Sequence, residues 1–163
     1  MGIDPYPAAL YPVNATAEEI RNEYPTNPDK FKQVIVAGRM MARRIMGKAA
    51  FASIQDSTSK IQVYVNRDEI CPEEDKEMYN TVFKKLLDIG DFIGVEGYVF
   101  TTQTGEISIH ASKITLLSKC LNPLPLPKEK DGVVYDAFTD AESRARMRYV
   151  DLVVNSQNKE TFI

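Results

Sequence analysis

The chain has 163 residues, of which 44% are hydrophobic and 26% charged, and its formal net charge at pH 7 is −3. This length allows one domain with a sizeable core plus peripheral segments, and the composition is that of an ordinary globular protein. No segment approaches the roughly 20 apolar residues of a membrane-spanning helix, and the first residues lack the pattern of a signal peptide. We therefore expect a cytoplasmic protein without a membrane partner.

The charges are unevenly distributed. Residues 31–65 carry a net charge of +5, and the stretch from Lys32 to Lys48 holds five basic residues and no acidic one. A local basic stripe on an acidic protein indicates one defined nucleic-acid groove. It is equally typical of a solvated strand edge, where lysines block further pairing. Charge alone leaves both interpretations open.

The first 30 residues contain one helix signal. Thr16 and Glu19 form a capping box, which predicts a helix that runs to about Glu23 and ends before Pro25. Apolar residues then alternate with period two, which predicts a meander of three strands, with a bend or bulge at Gly38 and a turn at residues 56–59. The predicted strands are residues 34–41, 48–55 and 60–65.

A helix is predicted next. Pro72 suits its first turn, and Gly90 ends it. Its predicted apolar face consists of Met78, Val82, Phe83, Leu86 and Leu87. Two strands follow, residues 92–102 and 106–116, and a three-residue connection that ends in glycine joins them as a hairpin.

The remaining sequence predicts a stiff proline-rich linker over residues 122–132, and then a second capping box from Thr139 to Glu142 that opens a basic helix with three arginines. We divide the chain into an N-terminal extension, a barrel domain, a linker and the start of another domain. The respective bounds are 1–30, 31–120, 121–138 and 139–163.

Three strands, a helix and two strands is the element order of an OB-fold. The predicted class is therefore mainly β, a five-stranded Greek-key barrel with a helix between strands three and four and helical segments at both ends. A mixed α+β sheet is the alternative architecture.

Strand alternation selects candidate ligand-binding residues. Ala50 and Ala52 share one phase of the second strand, and Phe51 lies in the other phase among polar residues. An aromatic ring on a wet sheet face next to a basic strand suits base stacking, although packing beneath a peripheral segment would also explain it. By the same alternation, Gln62 and Glu106 point outward and offer an amide and a carboxylate that suit a uracil edge.

No catalytic or metal site is indicated. His110 is the only histidine, Cys71 and Cys120 lack the spacing of zinc ligands, and no glycine-rich phosphate loop occurs.

Several segments together closely resemble bacterial lysyl-tRNA synthetases, and they extend over almost the whole chain. They are residues 4–7, 36–51, 54–56, 61–65, 102–110, 123–125 and 146–152, with Asn155. The resemblance implies that the barrel reads the uridine-rich anticodon of the lysine tRNA. It implies that Phe51 stacks on a base and that Arg44, Gln62 and Glu106 make polar contacts to bases. Weaker candidates for phosphate contacts are Arg39, Arg43 and Lys48.

In that family, lysine is activated with ATP and magnesium and transferred to the tRNA on a separate domain, which also forms a homodimer. The resemblance implies that the first motif of this domain, at the dimer interface, is only starting at residues 159–163. We therefore expect this chain to need no cofactor and to lack aminoacylation activity. Two other readings stay open. One is the equivalent barrel of an aspartyl- or asparaginyl-tRNA synthetase, and the other is a free-standing OB protein that binds single strands with weak sequence preference.

Overall fold

The computed structural model describes residues 2–125, 128–130, 133–135 and 138–162. The chain divides into two compact units, Met1–Leu121 and Asn122–Ile163. The first unit contains a closed barrel in which neighbouring strands are ordered β1-β2-β3-β5-β4. All pairs are antiparallel except β3 and β5, which run parallel and close the barrel. The strands are β1 Val34–Met46, β2 Ala49–Gln55, β3 Lys60–Asn66, β4 Phe92–Thr101 and β5 Ile107–Ser118.

The predicted OB-fold is confirmed by this strand order, and the alternation behind it is visible in the burial pattern. Along β2, Ala50, Ala52 and Ile54 are buried, and the residues between them are partly exposed. The inward residues of all five strands form one hydrophobic core. The outward residues of the strands are thereby left for a ligand.

The first helix, α1 Ala17–Glu23, agrees with its predicted capping box. The Thr16 hydroxyl accepts from the backbone N–H of Glu19, and the Glu19 carboxylate accepts from the N–H of Thr16. A short 3-10 turn at Pro28–Phe31 leads into β1, and Phe31 fills the core below it.

The helix predicted to begin at Pro72 starts later. A single turn, α2 Arg67–Ile70, follows β3, and the main helix between β3 and β4, α3 Met78–Leu86, is wound as a π-helix. The Nζ of Lys76 donates to the carbonyls of Cys71 and Glu73, so the intervening backbone is held in a loop. The wider winding buries Tyr79 and leaves Leu86 49% exposed, although the sequence placed Leu86 on the apolar face.

Gly38 was predicted to mark a bend or bulge, and the structure gives it another role. A Cβ at this position would lie 2.8 Å from the carbonyl oxygen of Gln55, so glycine allows β1 and β2 to approach closely. The bulge of β1 lies further on, where the pairing register shifts between Met40 and Ala42.

The second unit differs from its predicted form in two places. Part of the predicted linker forms a small antiparallel sheet, β6 Lys128–Lys130 and β7 Val133–Tyr135, and the linker residues 126–127, 131–132 and 136–137 lie outside the described residues. Asp140, rather than Thr139, caps the next helix by accepting from the N–H of Ser143. The helices are α4 Ala141–Arg146, α5 Arg148–Val154 and α6 Ser156–Phe162.

The basic helix predicted to hold three arginines is therefore divided, because α4 ends at Arg146 and Arg148 begins α5. None of the described helices is both long and apolar enough to cross a membrane.

Candidate nucleic-acid interface

The bulge in β1 decides which arginine faces outward. Beyond it, Arg43 pairs with Ala52 and therefore shares the inward phase, and Arg44 pairs with Phe51 and shares the outward phase. Without the extra residue of the bulge, strict alternation from Val34 would point Arg44 inward and Arg43 outward. A shift of one residue moves every later side chain of a strand to the other face. The bulge thus places Arg44 beside the predicted stacking ring.

Strand pairing arranges the outward residues of all five strands in two parallel rows across the barrel. We call the first the aromatic row and the second the amide row. The aromatic row is Arg44, Phe51, Tyr64, His110 and Tyr98, and the amide row is Ala42, Ser53, Gln62, Ser108 and Phe100.

Neighbouring rings of the aromatic row are in contact. The ring centroids are 5.3 Å apart for Phe51 and Tyr64, 4.9 Å for Tyr64 and His110, and 4.8 Å for His110 and Tyr98. The last pair is nearly parallel. Oε2 of Glu69 approaches Nδ1 of His110 to 3.1 Å without hydrogen-bond geometry. Such a row offers stacking faces that any base can use.

The amide row carries the polar groups. Ser108 Oγ donates to Oε1 of Gln62 over 2.8 Å, and the serine side chain is fully buried. Phe100 closes this row at the β4 end and contacts Tyr64 of the aromatic row, with 6.1 Å between ring centroids. The two rows therefore form one continuous floor.

A groove of about 1000 Å³ lies over this floor. All four residues predicted to contact bases, Arg44, Phe51, Gln62 and Glu106, line it. The volume is at the upper end of the range for small-molecule pockets and leaves room for more than one base. The structure thus brings together, from four separate segments, the residues that alternation and resemblance selected.

Glu106 does not stand alone in the groove. Nη2 of Arg21, a residue of α1, lies 3.2 Å from Oε1 of Glu106, and both side chains are about half exposed. The pair leaves the second carboxylate oxygen of Glu106 available as an acceptor. The helix α1 therefore forms one wall of the groove, a role that the sequence did not indicate.

The loop between β2 and β3 holds α1 in this position. Asp56 Oδ2 accepts from the N–H of Ala17 over 2.7 Å, and Thr58 Oγ1 accepts from the N–H of Glu18. Burial tends to raise the pKa of the Asp56 carboxyl, but hydrogen bonds from Ala17, Ser59 and Thr58 outweigh burial and lower the pKa on balance. The ionised carboxylate is thus part of the connection between α1 and the barrel.

Two of the three residues predicted to contact phosphates are bound within the fold. Arg39 donates to the carbonyl of Gly90 over 3.0 Å, and its guanidinium lies 4.3 Å from the ring centroid of Phe92. Arg43 lines the groove with its stem, but its guanidinium donates to the carbonyls of Phe83 and Leu87 at the end of α3. These contacts hold both guanidinium groups against the fold, and their contact with a phosphate stays a prediction.

Other basic residues are exposed in the groove or near it. Arg44 and Lys60 are exposed, line the groove and have no ion-pair partner among the described residues. Lys48 lies in the turn between β1 and β2, exposed and outside the groove lining. Its contact with a phosphate stays a prediction.

Sequence reasoning missed several residues of the groove. Phe100 lies next to the buried Val99 in β4, as Phe51 lies between buried alanines in β2. The alternation of apolar residues along β4 therefore also predicts an outward Phe100. His110 was not selected as a binding residue, whereas its ring joins the two sides of the aromatic row. Arg21 carries no such signal, because its partner is 85 residues away in the chain.

The groove has the character of a binding site for unpaired bases. Among the described residues no group of three or more histidine, cysteine, aspartate or glutamate side chains could hold a metal ion. Stacking rings, an amide, one paired carboxylate and exposed basic residues are suited to hold unpaired bases and their phosphates.

Residues 34–117 match the tRNA anti-codon family, which is described as an OB-fold nucleic acid binding domain. A lysine–tRNA ligase of Porphyromonas gingivalis is 60% identical over 164 residues, which covers 100% of this chain and 28% of the relative. Lysine–tRNA ligases of Azobacteroides pseudotrichonymphae and Christiangramia forsetii are 56% and 55% identical over 99% of the chain, covering 32% and 28% of their own lengths. The chain thus spans about a third or less of these relatives.

Proposed function

We propose that this chain, which belongs to the family of OB-fold nucleic acid binding domains, binds the anticodon of a lysine tRNA as part of a lysine–tRNA ligase. The observation that carries the proposal is the convergence of Arg44, Phe51, Gln62 and Glu106 on one groove of the barrel. The identity of 55–60% to proteins named lysine–tRNA ligase supports the choice of lysine.

The groove can recognise uridine by stacking and by hydrogen bonds. A base stacked on Phe51 gains roughly 1–3 kcal/mol of binding free energy. Uracil has two carbonyl acceptors with one N–H donor between them. Gln62 and Arg44 donate to the carbonyls, and the free carboxylate oxygen of Glu106 accepts the N–H. Lys60 is near enough to the groove to neutralise a phosphate.

The proposal assigns catalysis to another part of the enzyme. Activation of lysine with ATP and magnesium, its transfer to the tRNA and the formation of a homodimer belong to a catalytic domain that is separate from the barrel. The described groove contributes recognition and positioning of the tRNA. A cytoplasmic location follows from the same proposal, since tRNA charging takes place there.

A second candidate function is binding of single-stranded nucleic acid with little sequence preference. The observation that favours it is the number of outward rings, since Tyr98 and Phe100 add to the contacting pair of Phe51 and Tyr64. Stacking on such a row tolerates every base. The two functions differ in whether the amide and the carboxylate discriminate between bases.

One titration separates the two functions. The chain is titrated at a stated salt concentration with an anticodon stem-loop that carries three uridines and with a matched loop whose central base is changed. We expect the changed loop to bind at least about tenfold more weakly, since a good polar base contact contributes roughly 1–3 kcal/mol. Equal affinities for both loops would exclude anticodon reading and leave unspecific single-strand binding.

A further inference from the structure

The amide of Gln62 is held in one orientation by a buried hydroxyl. Gln62 lies in the middle of β3 and pairs in register with Ser53 on one side and Ser108 on the other. The Oγ of Ser108 is 2.8 Å from Oε1 of Gln62, and the serine has no exposed surface. Because water does not reach this hydroxyl, its proton must find an acceptor within the protein.

Two acceptors lie within reach of the Ser108 hydroxyl. Oε1 of Gln62 is at 2.8 Å, and the carbonyl oxygen of Glu106 is at 3.4 Å, beyond the usual range for an O–H donor. The hydroxyl therefore donates to Gln62. The oxygen and the amino group of a primary amide are attached to the same carbon, so fixing Oε1 also fixes Nε2.

The amino group of Gln62 is consequently left for a ligand. Gln62 lines the groove, and within the described part of the chain Nε2 has no hydrogen-bond acceptor. A glutamine amide normally offers both a donor and an acceptor and can rotate to suit either partner. With its oxygen engaged by Ser108, this amide presents only N–H donors to the groove.

We infer that Ser108 is a positioning residue that makes Gln62 a donor-only reader, so that the groove selects uracil over cytosine. This inference rests on the proposed function, since it assumes that a base lies against Gln62. Uracil has a carbonyl oxygen at the position where cytosine has an amino group. A fixed donor pairs with the carbonyl, whereas against the amino group two donors face each other and both lose their hydrogen bonds.

Because Ser108 acts on the ligand through Gln62, its removal should change the preference between two bases rather than the affinity for both. In Ser108→Ala the amide is free to rotate, so its oxygen can accept from a cytosine amino group. The ratio of the affinities for uridine and cytidine loops should then fall by about tenfold, because each tenfold change corresponds to 1.4 kcal/mol of discrimination. A residue with a merely structural role would change both affinities by the same factor.

The test uses two stem-loops, one with three uridines and one with cytidine at the central position, at the same salt concentration. The matched control is Ser112→Ala on the same strand, whose hydroxyl donates to the carbonyl of Glu96 over 3.0 Å outside the groove. In Ser112→Ala, the ratio of the affinities for the uridine and cytidine loops should equal that of the unchanged chain. Thermal unfolding of each variant shows whether the barrel is intact.

A second variant tests the inference without touching the buried serine. Gln62→Glu keeps an oxygen for the Ser108 hydroxyl and places a second acceptor where the amide carried its donors. The preference should shift from uridine towards cytidine, whose amino group donates to the carboxylate. An unchanged preference in Gln62→Glu overturns the donor-only reading, even if Ser108→Ala fails to fold.

The failure of the inference is distinguishable from that of the proposed function. If the unchanged chain prefers uridine and Ser108→Ala keeps the full preference, or loses affinity for both loops alike, then Ser108 does not position the amide. If the unchanged chain binds both loops equally, the proposed anticodon reading fails and the inference fails with it.

Discussion

Arg21 of α1 and Glu106, the residue just before β5, are 85 residues apart in the chain, and their side chains meet at 3.2 Å on the edge of the groove. The ion pair connects the N-terminal helix to the loop before β5, where Glu106 is the one acidic residue among the described residues that line the groove. It keeps one oxygen of Glu106 occupied and balances its charge. Without Arg21, an uncompensated carboxylate would face the phosphates of an RNA ligand.

The first prediction follows from this pair. Arg21→Met should weaken binding of the uridine stem-loop, because the groove loses a positive charge and Glu106 repels the phosphates. The free energy of unfolding should change by less than about 1 kcal/mol, since both side chains are roughly half exposed. Lys30→Met is the control, because Lys30 also forms ion pairs with α1, at 2.6 and 2.7 Å, but does not line the groove. Equal losses of affinity in both variants would contradict a local role for Arg21.

The stacking ring gives a second prediction. Phe51→Ala should weaken stem-loop binding by roughly 1–3 kcal/mol. The fold should persist, since Phe51 is half-buried and lies outside the hydrophobic core. Phe92→Ala removes an exposed ring that packs against Arg39 outside the groove, and it should leave RNA affinity unchanged. A collapse of the melting temperature in Phe51→Ala would show that the ring supports the core instead.

Neighbouring arginines should behave in opposite ways. Arg43→Met removes the donor to two carbonyls at the end of α3, and the free energy of unfolding should fall by about 1.5–3 kcal/mol, the usual value for a charged hydrogen bond. Arg44→Met removes an exposed groove residue, so stability should change by less than about 0.5 kcal/mol while stem-loop affinity falls. Urea unfolding and RNA titration of both variants give the comparison. Equal changes of stability and of RNA affinity in the two variants would contradict the assignment of Arg43 to the inward face and Arg44 to the outward face.

The Asp56 carboxylate makes stability depend on pH. The pKa of Asp56 is lowered in the folded state, so its ionised form contributes stability that is complete above about pH 4, the ordinary value for aspartate, and is lost as the pH falls through the lowered pKa. Asp56→Asn should lack this part of the acid dependence and should be less stable at pH 7. Unfolding curves between pH 2 and pH 7 give the free energy of unfolding of both chains as a function of pH. If the free energy of unfolding falls with pH in the same way in both chains, Asp56 is not the source of this acid dependence.

Lys48 gives a prediction that concerns phosphates alone. Lys48→Ala should lower the affinity for matched and mismatched loops by the same factor and reduce the slope of affinity against salt concentration, since one phosphate contact releases about one counterion. Titrations at several salt concentrations measure this slope. An unchanged slope would show that Lys48, which lies outside the groove lining, makes no phosphate contact.

Local rules identified much of the interface from the sequence. Alternation placed Phe51 and Gln62 outward, and the structure agrees, because a strand with one buried face constrains each side chain through its immediate neighbours. The capping box at Thr16 also predicted α1 correctly, since both of its hydrogen bonds join residues three apart. In these cases the physical cause lies within a few residues of the effect.

Tertiary structure decided the remaining features. The bulge between Met40 and Ala42 turns Arg43 into the fold and Arg44 into the groove, and it depends on how β1 pairs with two partners at once. The contact of Arg21 with Glu106, and of Ser108 with Gln62, arises only when the barrel closes between β3 and β5 and α1 docks on the loop at Asp56. Along β2 and β3 the sequence by itself determined which face is wet, because alternation is a property of neighbouring residues. Barrel closure determined which wet residues meet, because it joins segments that no local pattern relates.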